Sequence, residues 1–154
     1  MIDPWHFRNY IVRPVLKEMQ CWSVDAENLL CGTALVESNL QALVQTPSGY
    51  AKGVFQIEEP TYQDVKKRFA ERHQDKLERF LCFADIARLP CHAGLLIGNL
   101  YVSCFIARAK YYLIPEAVPS ELEAQAEYWN RLYNTVIDKA AQQRYIDRYL
   151  KAYC

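Results

Sequence analysis

Apolar residues recur at helical spacing along most of the chain, and turn-forming residues separate the periodic stretches from one another. The pattern predicts a first helix over residues 4–20. A kink is expected at Pro14, because proline lacks the N–H group that the helix needs at that point. A second helix is predicted over 23–38. Its expected N-cap is Ser23, since a serine hydroxyl accepts a hydrogen bond from an N–H group of the first turn.

The remainder of the chain is predicted to be helical apart from one loop region. Residues 45–53 have the glycine, proline and serine content of a loop. Residues 54–57 are short and apolar, and their pattern leaves open a brief strand or an extended segment. Further helices are predicted over 60–72, 75–82, 91–113, 120–133 and 139–153, with a Ser120–Glu123 capping box opening the helix over 120–133. The predicted fold is mainly α, a single domain over 1–154 with a central buried helix and at most a small β element.

One uncharged segment, residues 90–107, raises the question of a membrane span. Its 18 residues are at the lower edge of the length that crosses a bilayer. The segment contains His92 and Asn99, however, and runs directly into Arg108. A helix that is apolar on all sides is also typical of the centre of a globular protein. We therefore predict a buried core helix here and no membrane span.

Composition narrows the classes of function. The chain is 51% hydrophobic, as expected of a globular protein, and its 18 Lys and Arg residues equal its 18 Asp and Glu residues. This balance argues against a nucleic-acid partner, which normally requires a basic excess. The six cysteines form no CxxC pair and the three histidines no HExxH motif, so neither a metal site nor a cofactor is predicted.

Glu37 is the residue whose position suggests chemistry. Leu30, Ala34 and Glu37 follow i, i+4, i+7 spacing, which predicts that the carboxyl lies on an apolar face of the second helix. Desolvation there raises the pKa of a carboxyl, and the dipole at a helix C-terminus acts in the same direction. An acid that stays protonated near neutral pH can donate to a leaving group, as cleavage of a glycosidic bond requires. On spacing alone, an ion pair with Lys or Arg, or exposure to water, remains open.

The residues around Glu37 add a motif. Ala34-Leu-Val-Glu-Ser-Asn-Leu40 is followed by a glycine-containing loop, by Ala51-Lys-Gly-Val-Phe-Gln-Ile57 and by Pro60-Thr61. This arrangement resembles the signature of soluble lytic transglycosylases and goose-type lysozymes, and most closely a group of phage-encoded proteins of about this length. With Gly98-Asn-Leu-Tyr101 and the segment 128–135, the resemblance covers about residues 8–135.

The resemblance implies a lysozyme-like fold and a set of site residues. Its catalytic acid falls on Glu37, its cleft-lining glutamine on Gln56, and the serine that supports the acid on Ser38. We also place Ser38 among the expected substrate-binding residues, with Gln56, Phe55, Tyr133 and Asn134. Phe55, with Tyr62, Tyr101, Tyr128 and Trp129, offers a flat apolar face to a sugar ring, although such aromatic residues are more often core.

The third cleft motif departs from the family. Members usually carry Ala-Tyr-Asn-Ala-Gly, and the phage group has glycines after Tyr-Asn-Thr, whereas here Tyr133-Asn134-Thr135 runs into Val-Ile-Asp-Lys-Ala. This leaves two expectations for function. One is a virion-associated or lysis enzyme of a phage; the other is a structural virion protein of the tail or ejection apparatus with weak or no activity.

The chemistry implied by the resemblance needs a single acid. In a lytic transglycosylase, one residue protonates the glycosidic oxygen between MurNAc and GlcNAc and then deprotonates the C6 hydroxyl, which gives a 1,6-anhydro sugar. Ordinary glycosidases use two carboxylates, for which Glu58, Glu59 and Asp64 are the candidates. Arg131 is a candidate partner of Glu37 or Glu58, or a residue that orients the Tyr133 loop.

The expected partners and location follow from the same resemblance. The partners are a peptidoglycan glycan strand and other virion proteins. The first residues show no basic n-region and no apolar h-region, so no signal peptide is predicted. We expect a protein made in the host cytoplasm, associated with the virion and acting on the periplasmic cell wall.

Overall fold

Helices carry nearly all of the regular structure. The structure is a computed structural model that describes residues 1–41 and 43–154. Its α-helices are α1 (Pro4–Phe7), α2 (Arg13–Glu18), α3 (Val24–Ser38), α4 (Glu59–Arg72), α5 (Gln74–Ala84), α6 (Leu100–Tyr112), α7 (Leu122–Trp129) and α8 (Lys139–Tyr153). Two π-helical turns cover Arg8–Val12 and Asn130–Asn134, and a 3-10 turn covers Ala93–Ile97. The prediction of a mainly α fold is confirmed.

The irregularity expected at Pro14 takes the form of a π turn. Helices α1 and α2 are continuous with the π turn Arg8–Val12 between them. The N–H of Arg13 donates to the carbonyl of Arg8, five residues earlier, instead of four. Pro14 can donate no such bond, and its ring crowds the carbonyl four residues before it. The wider turn therefore accommodates the proline without ending the helix.

Helix α3 lies at the centre of the molecule. Ser23 caps it as predicted, its hydroxyl accepting a hydrogen bond from the N–H of Ala26 at 3.0 Å. Helix α8 packs across its middle, where a Cβ atom on Gly32 would overlap the hydroxyl of Tyr145. The same hydroxyl donates to the carbonyl of Leu29 at 3.2 Å. The close crossing fixes the middle of α3 relative to the C-terminal helix.

The long helix predicted over 91–113 is wrong in its first part. The structure has the 3-10 turn Ala93–Ile97, then Gly98, and α6 begins only at Leu100. The side chain of Asn99 accepts a hydrogen bond from the N–H of Val102 at 3.0 Å, which is the action of an N-cap. Helix α6 itself is buried along most of its length, as expected. In the part of the chain that the structure describes, none of the helices combines the length and apolarity that crossing a membrane requires.

The predicted Ser120 capping box is also wrong. Helix α7 begins at Leu122, and its N-cap position, Glu121, makes no side-chain capping bond. Ser120 instead donates to the carboxylate of Asp25 at 2.9 Å, which connects the segment before α7 to the first turn of α3. A contact distant in sequence has replaced the local one.

The loop after α3 forms the small β element. Isolated antiparallel bridges join Val44 to Lys52 and Lys52 to Ile57. Gly53 follows with a φ of 71°, and a Cβ atom there would meet the carbonyl of Leu96 and the hydroxyl of Ser103, both at 2.8 Å. Glycine is therefore required twice over, for the backbone angle and for the close approach. This loop forms one wall of the cleft described next.

Candidate functional site

A cleft of about 390 Å³ opens beside the C-terminal end of α3. Five segments surround it: the end of α3, the loop over 43–58, the first turn of α4, the last turn of α6, and the π turn Asn130–Asn134 with the residue that follows it. The residues that line it are Glu37, Gln45, Ala51, Gln56, Ile57, Glu58, Thr61, Lys110, Tyr133, Asn134 and Thr135. Of the predicted site residues, the structure brings Glu37, Gln56, Tyr133 and Asn134 together here.

Glu37 occupies the last turn of α3 and is partly buried in the wall of the cleft. The indole N–H of Trp129 donates to its Oε1 at 2.9 Å. Burial raises the pKa of Glu37 to about 7, although the bond from Trp129 and the positive charges of Lys110 and Arg144 act in the opposite direction. Among the described residues, no side-chain nitrogen of Lys, Arg or His lies within 4.0 Å of a carboxyl oxygen of Glu37, so Glu37 forms no ion pair with them. The carboxyl is therefore available for proton transfer.

Gln56 lies across the loop from the acid. Its backbone has a φ of 49°, in the left-handed region, and its side-chain amide donates to the carbonyl of Gly53 at 2.8 Å. The backbone N–H of Gln56 also donates to that carbonyl at 3.0 Å. This tight turn presents the Gln56 side chain to the cleft.

Tyr133 and Asn134 belong to the π turn after α7. The Tyr133 hydroxyl donates to the carbonyl of Phe55 at 2.7 Å, which attaches this turn to the loop carrying Gln56. Asn134 donates to Val136 O at 3.1 Å, in the stretch that lacks the glycines of the phage proteins that the motif resembles. The turn is thus closed without glycine, and both predicted residues line the cleft.

Two predicted substrate-binding residues are placed elsewhere, and this corrects the prediction. Ser38 is buried, and its hydroxyl donates to the carbonyl of Val54 at 2.7 Å and accepts from the N–H of Leu40. It connects the end of α3 to the loop. The ring of Phe55 is 0% exposed and packs against Phe7 in the core, so it cannot stack on a sugar.

Of the three other carboxylates considered as a second catalytic group, one lines the cleft and two do not. Glu58 lines the cleft. Glu59 accepts from the N–H of Ala93 at 2.7 Å, and Asp64 pairs with Arg68 at 2.7 Å on the outside of α4. Both of these carboxylates are thus engaged in structural contacts.

Arg131 does not pair with Glu37 or Glu58. Its guanidinium binds Glu116 at 2.7 Å and Glu127 at 2.8 Å, both on the surface. The expectation that Arg131 pairs with Glu37 or Glu58 is therefore wrong. The cation that the structure does bring to the cleft is Lys110.

Sequence reasoning missed Lys110 and the part played by Trp129. Trp129 is only 2% exposed, so it is a hydrogen-bond donor to the acid and not a sugar platform. Tyr62 and Tyr128 are likewise buried at 0% and 1% exposure. One signal for Lys110 was present in the sequence: Arg108 and Lys110 are the two charged residues of α6, and both lie near its C-terminal end.

Within 1–41 and 43–154, no cluster of three or more His, Cys, Asp or Glu side chains could hold a metal ion. Comparisons of the chain with protein-family models, with curated proteins and with solved structures give no match. The resemblance to lytic transglycosylases and goose-type lysozymes stays a prediction that rests on the motifs.

Proposed function

We propose that this protein is a peptidoglycan lytic transglycosylase of lysozyme-like type that cleaves the bond between MurNAc and GlcNAc with Glu37 as its acid. The observation that carries the proposal is a carboxyl with a pKa of about 7 in the wall of an open cleft. Near neutral pH such a group is present in both protonation states, which suits a residue that must first give a proton and then take one.

The proposed reaction uses one residue throughout. Protonated Glu37 donates its proton to the glycosidic oxygen as the bond from C1 of MurNAc breaks. The N-acetyl group of the substrate stabilises the sugar cation, and the Glu37 carboxylate then takes the proton of the C6 hydroxyl while the C6 oxygen bonds to C1. The proton lost by Glu37 in the first step is recovered in the second, and no water is consumed.

The contacts around Glu37 support this cycle. The N–H of Trp129 can donate to Oε1 in both protonation states, so the carboxyl keeps its orientation while its charge changes. A single neutral donor also stabilises the carboxylate less than an ion pair does, which leaves the acid easy to reprotonate.

Glu58 favours a second candidate reaction, simple hydrolysis. It lines the same cleft as Glu37, so it would supply a second carboxylate to act as a base on a water molecule there. The products separate the two reactions in mass spectrometry: 1,6-anhydro-muropeptides indicate transglycosylation, and reducing MurNAc ends indicate hydrolysis.

We further propose the setting implied by the motif resemblance. The enzyme would be made in the host cytoplasm of a phage infection, carried in the virion with other virion proteins or released at lysis, and directed at the periplasmic cell wall. Its partner there is the glycan strand.

The test is digestion of purified peptidoglycan by the wild type, by Glu37→Gln and by Glu58→Gln. We expect Glu37→Gln to release soluble muropeptides at least about 100-fold more slowly, because general acid catalysis contributes about that much or more. Glu58→Gln should retain most of the activity if one acid suffices. Equal thermal unfolding curves exclude a folding defect. A wild type that releases no muropeptides contradicts the proposal and favours the structural virion protein.

A further inference from the structure

Lys110 is held in the cleft by two contacts that fix its position. It occupies the last turn of α6, and its Nζ donates to the carbonyl of Tyr133 at 3.1 Å. The same atom lies 3.9 Å from the centroid of the Tyr133 ring. One of the three N–H donors of the ammonium is thus used, and Lys110 lines the cleft beside Glu37 and Glu58.

The ammonium is partly buried and has no counterion within reach. The cation is arginine in every ion pair among the residues that the structure describes, and no carboxylate oxygen there lies within 4.0 Å of Lys110 Nζ. Burial lowers the pKa of Lys110, although Glu37 and Glu58 oppose this effect from a distance. Withdrawing a cation from water without a hydrogen-bonded anion is unfavourable, so an anionic group entering the cleft would be stabilised there.

We propose that Lys110 binds a carboxylate of the ligand in this cleft, which on a peptidoglycan strand is carried by the muramic acid lactyl group or by its peptide stem. This inference rests on the proposed function for the identity of the ligand. It assigns to the cleft a discrimination that Glu37 and Gln56 do not supply: anionic muramic acid strands over neutral N-acetylglucosamine oligomers.

The test is calorimetric binding to Glu37→Gln, which prevents turnover. The probes are the GlcNAc–MurNAc disaccharide with its free lactyl carboxylate, the same disaccharide as its carboxamide, a muropeptide with free or amidated stem carboxylates, and a neutral chitin oligosaccharide. We expect one carboxylate form to bind about tenfold more tightly than its amide at low salt, as for a hydrogen bond to a charged group. The pair that shows the preference identifies the source of the carboxylate.

Two further variants in the Glu37→Gln background locate the effect. Lys110→Gln should lose the preference, and Lys110→Arg should retain part of it. The matched control is Lys66→Gln, since Lys66 also donates to a carbonyl, Pro90 at 2.9 Å, and lies over a tyrosine ring, yet is outside the cleft. Lys66→Gln should leave the preference for the carboxylate unchanged.

Equal affinity for every carboxylate and its amide overturns the inference, and this comparison needs no lysine variant that could fail to fold. A preference that survives in folded Lys110→Gln overturns it as well. Failure of the proposed function is a separate result, because binding is measured without cleavage. A wild type that cuts no peptidoglycan, together with a Glu37→Gln protein that prefers the carboxylate, would refute the enzyme and keep the anion site.

Discussion

Burial and hydrogen bonding act in opposite directions on the carboxyl at position 37. Burial in the cleft wall raises the pKa of Glu37, and the Trp129 N–H lowers it, with a result of about 7. Without the indole the acid would be protonated to higher pH, and without burial it would be an ordinary carboxylate. The balance between burial and the hydrogen bond from Trp129 thus sets the pH range in which Glu37 can give and take a proton.

Trp129→Phe tests this balance. Removal of the donor should raise the pKa of Glu37, and because the protonated acid starts the proposed reaction, the alkaline limb of the activity profile should move to higher pH. The measurement is muropeptide release from pH 5 to 9. Trp5→Phe is the matched control, since Trp5 is 51% exposed and does not line the cleft. An alkaline limb that moves to lower pH would contradict this explanation.

At the scale of the elements, local signals were predictable and distant ones were not. Ser23 caps α3 because the capping contact lies within four residues of sequence. Ser120 has the same chemistry, but Asp25, distant in sequence, takes its hydroxyl. The start of α6 after Asn99 was missed because residues 90–107 are uncharged and mostly apolar. An apolar pattern indicates which residues are buried, but it does not indicate where the helical hydrogen bonds begin.

The site also contains residues that the sequence predicted and a residue that it did not. The motif placed Glu37 and Gln56 in one cleft, and both line it. It did not place Lys110, which reaches the cleft from the last turn of α6, where its Nζ donates to the carbonyl of Tyr133. Phe55 was predicted to line the cleft because its ring offers a flat apolar face to a sugar, but the ring is buried in the core instead.

Gly53 is the position where a single methyl group should damage the cleft wall. Gly53→Ala adds a positive φ strain and a clash with the Leu96 carbonyl, and we expect the free energy of unfolding to fall by about 2–4 kcal/mol, together with activity. Gly49→Ala is the matched control. It has a similar φ of 70°, but only Val44 lies near its Cβ, at 3.9 Å, so only the strain of about 1–2 kcal/mol applies. Equal losses in urea unfolding would show that the close approach is unimportant.

At the scale of the whole molecule, a buried charge network connects the N-terminal helices to α3. Glu27 is 1% exposed and pairs with Arg13 at 2.7 Å and Arg8 at 3.2 Å, while Trp22 donates to it at 2.7 Å. Burial alone would raise the pKa of Glu27, but these hydrogen bonds and charges outweigh it and lower the pKa. The network therefore depends on the ionised carboxylate.

The depressed pKa predicts acid sensitivity. A carboxyl whose pKa is lower in the folded state stabilises the protein above its unfolded pKa of about 4.3, and this stabilisation is lost as the pH falls through the folded pKa. Glu27→Gln should cost about 3 kcal/mol at pH 7, because it leaves buried Arg8 without its anion. The variant should also lose less further stability than the wild type between pH 5 and 2.

Urea unfolding at each pH measures both quantities. Asp64→Asn is the control, since the Asp64–Arg68 pair lies on the surface and its loss should change little. A Glu27→Gln variant as stable as the wild type at pH 7, with the same acid dependence, would show that the network does not hold the N-terminal helices.

The cleft itself is a property of the whole molecule, because its walls come from segments between residues 37 and 135. The function proposed for the cleft depends on the protonation state of Glu37. The most direct measurement is an NMR titration of the Glu37 side-chain carboxyl carbon in the intact protein, with Glu37→Gln to assign the resonance. We predict a midpoint at about pH 7. A midpoint near 4.5, the ordinary value for a glutamate, would contradict the assignment of Glu37 as the acid.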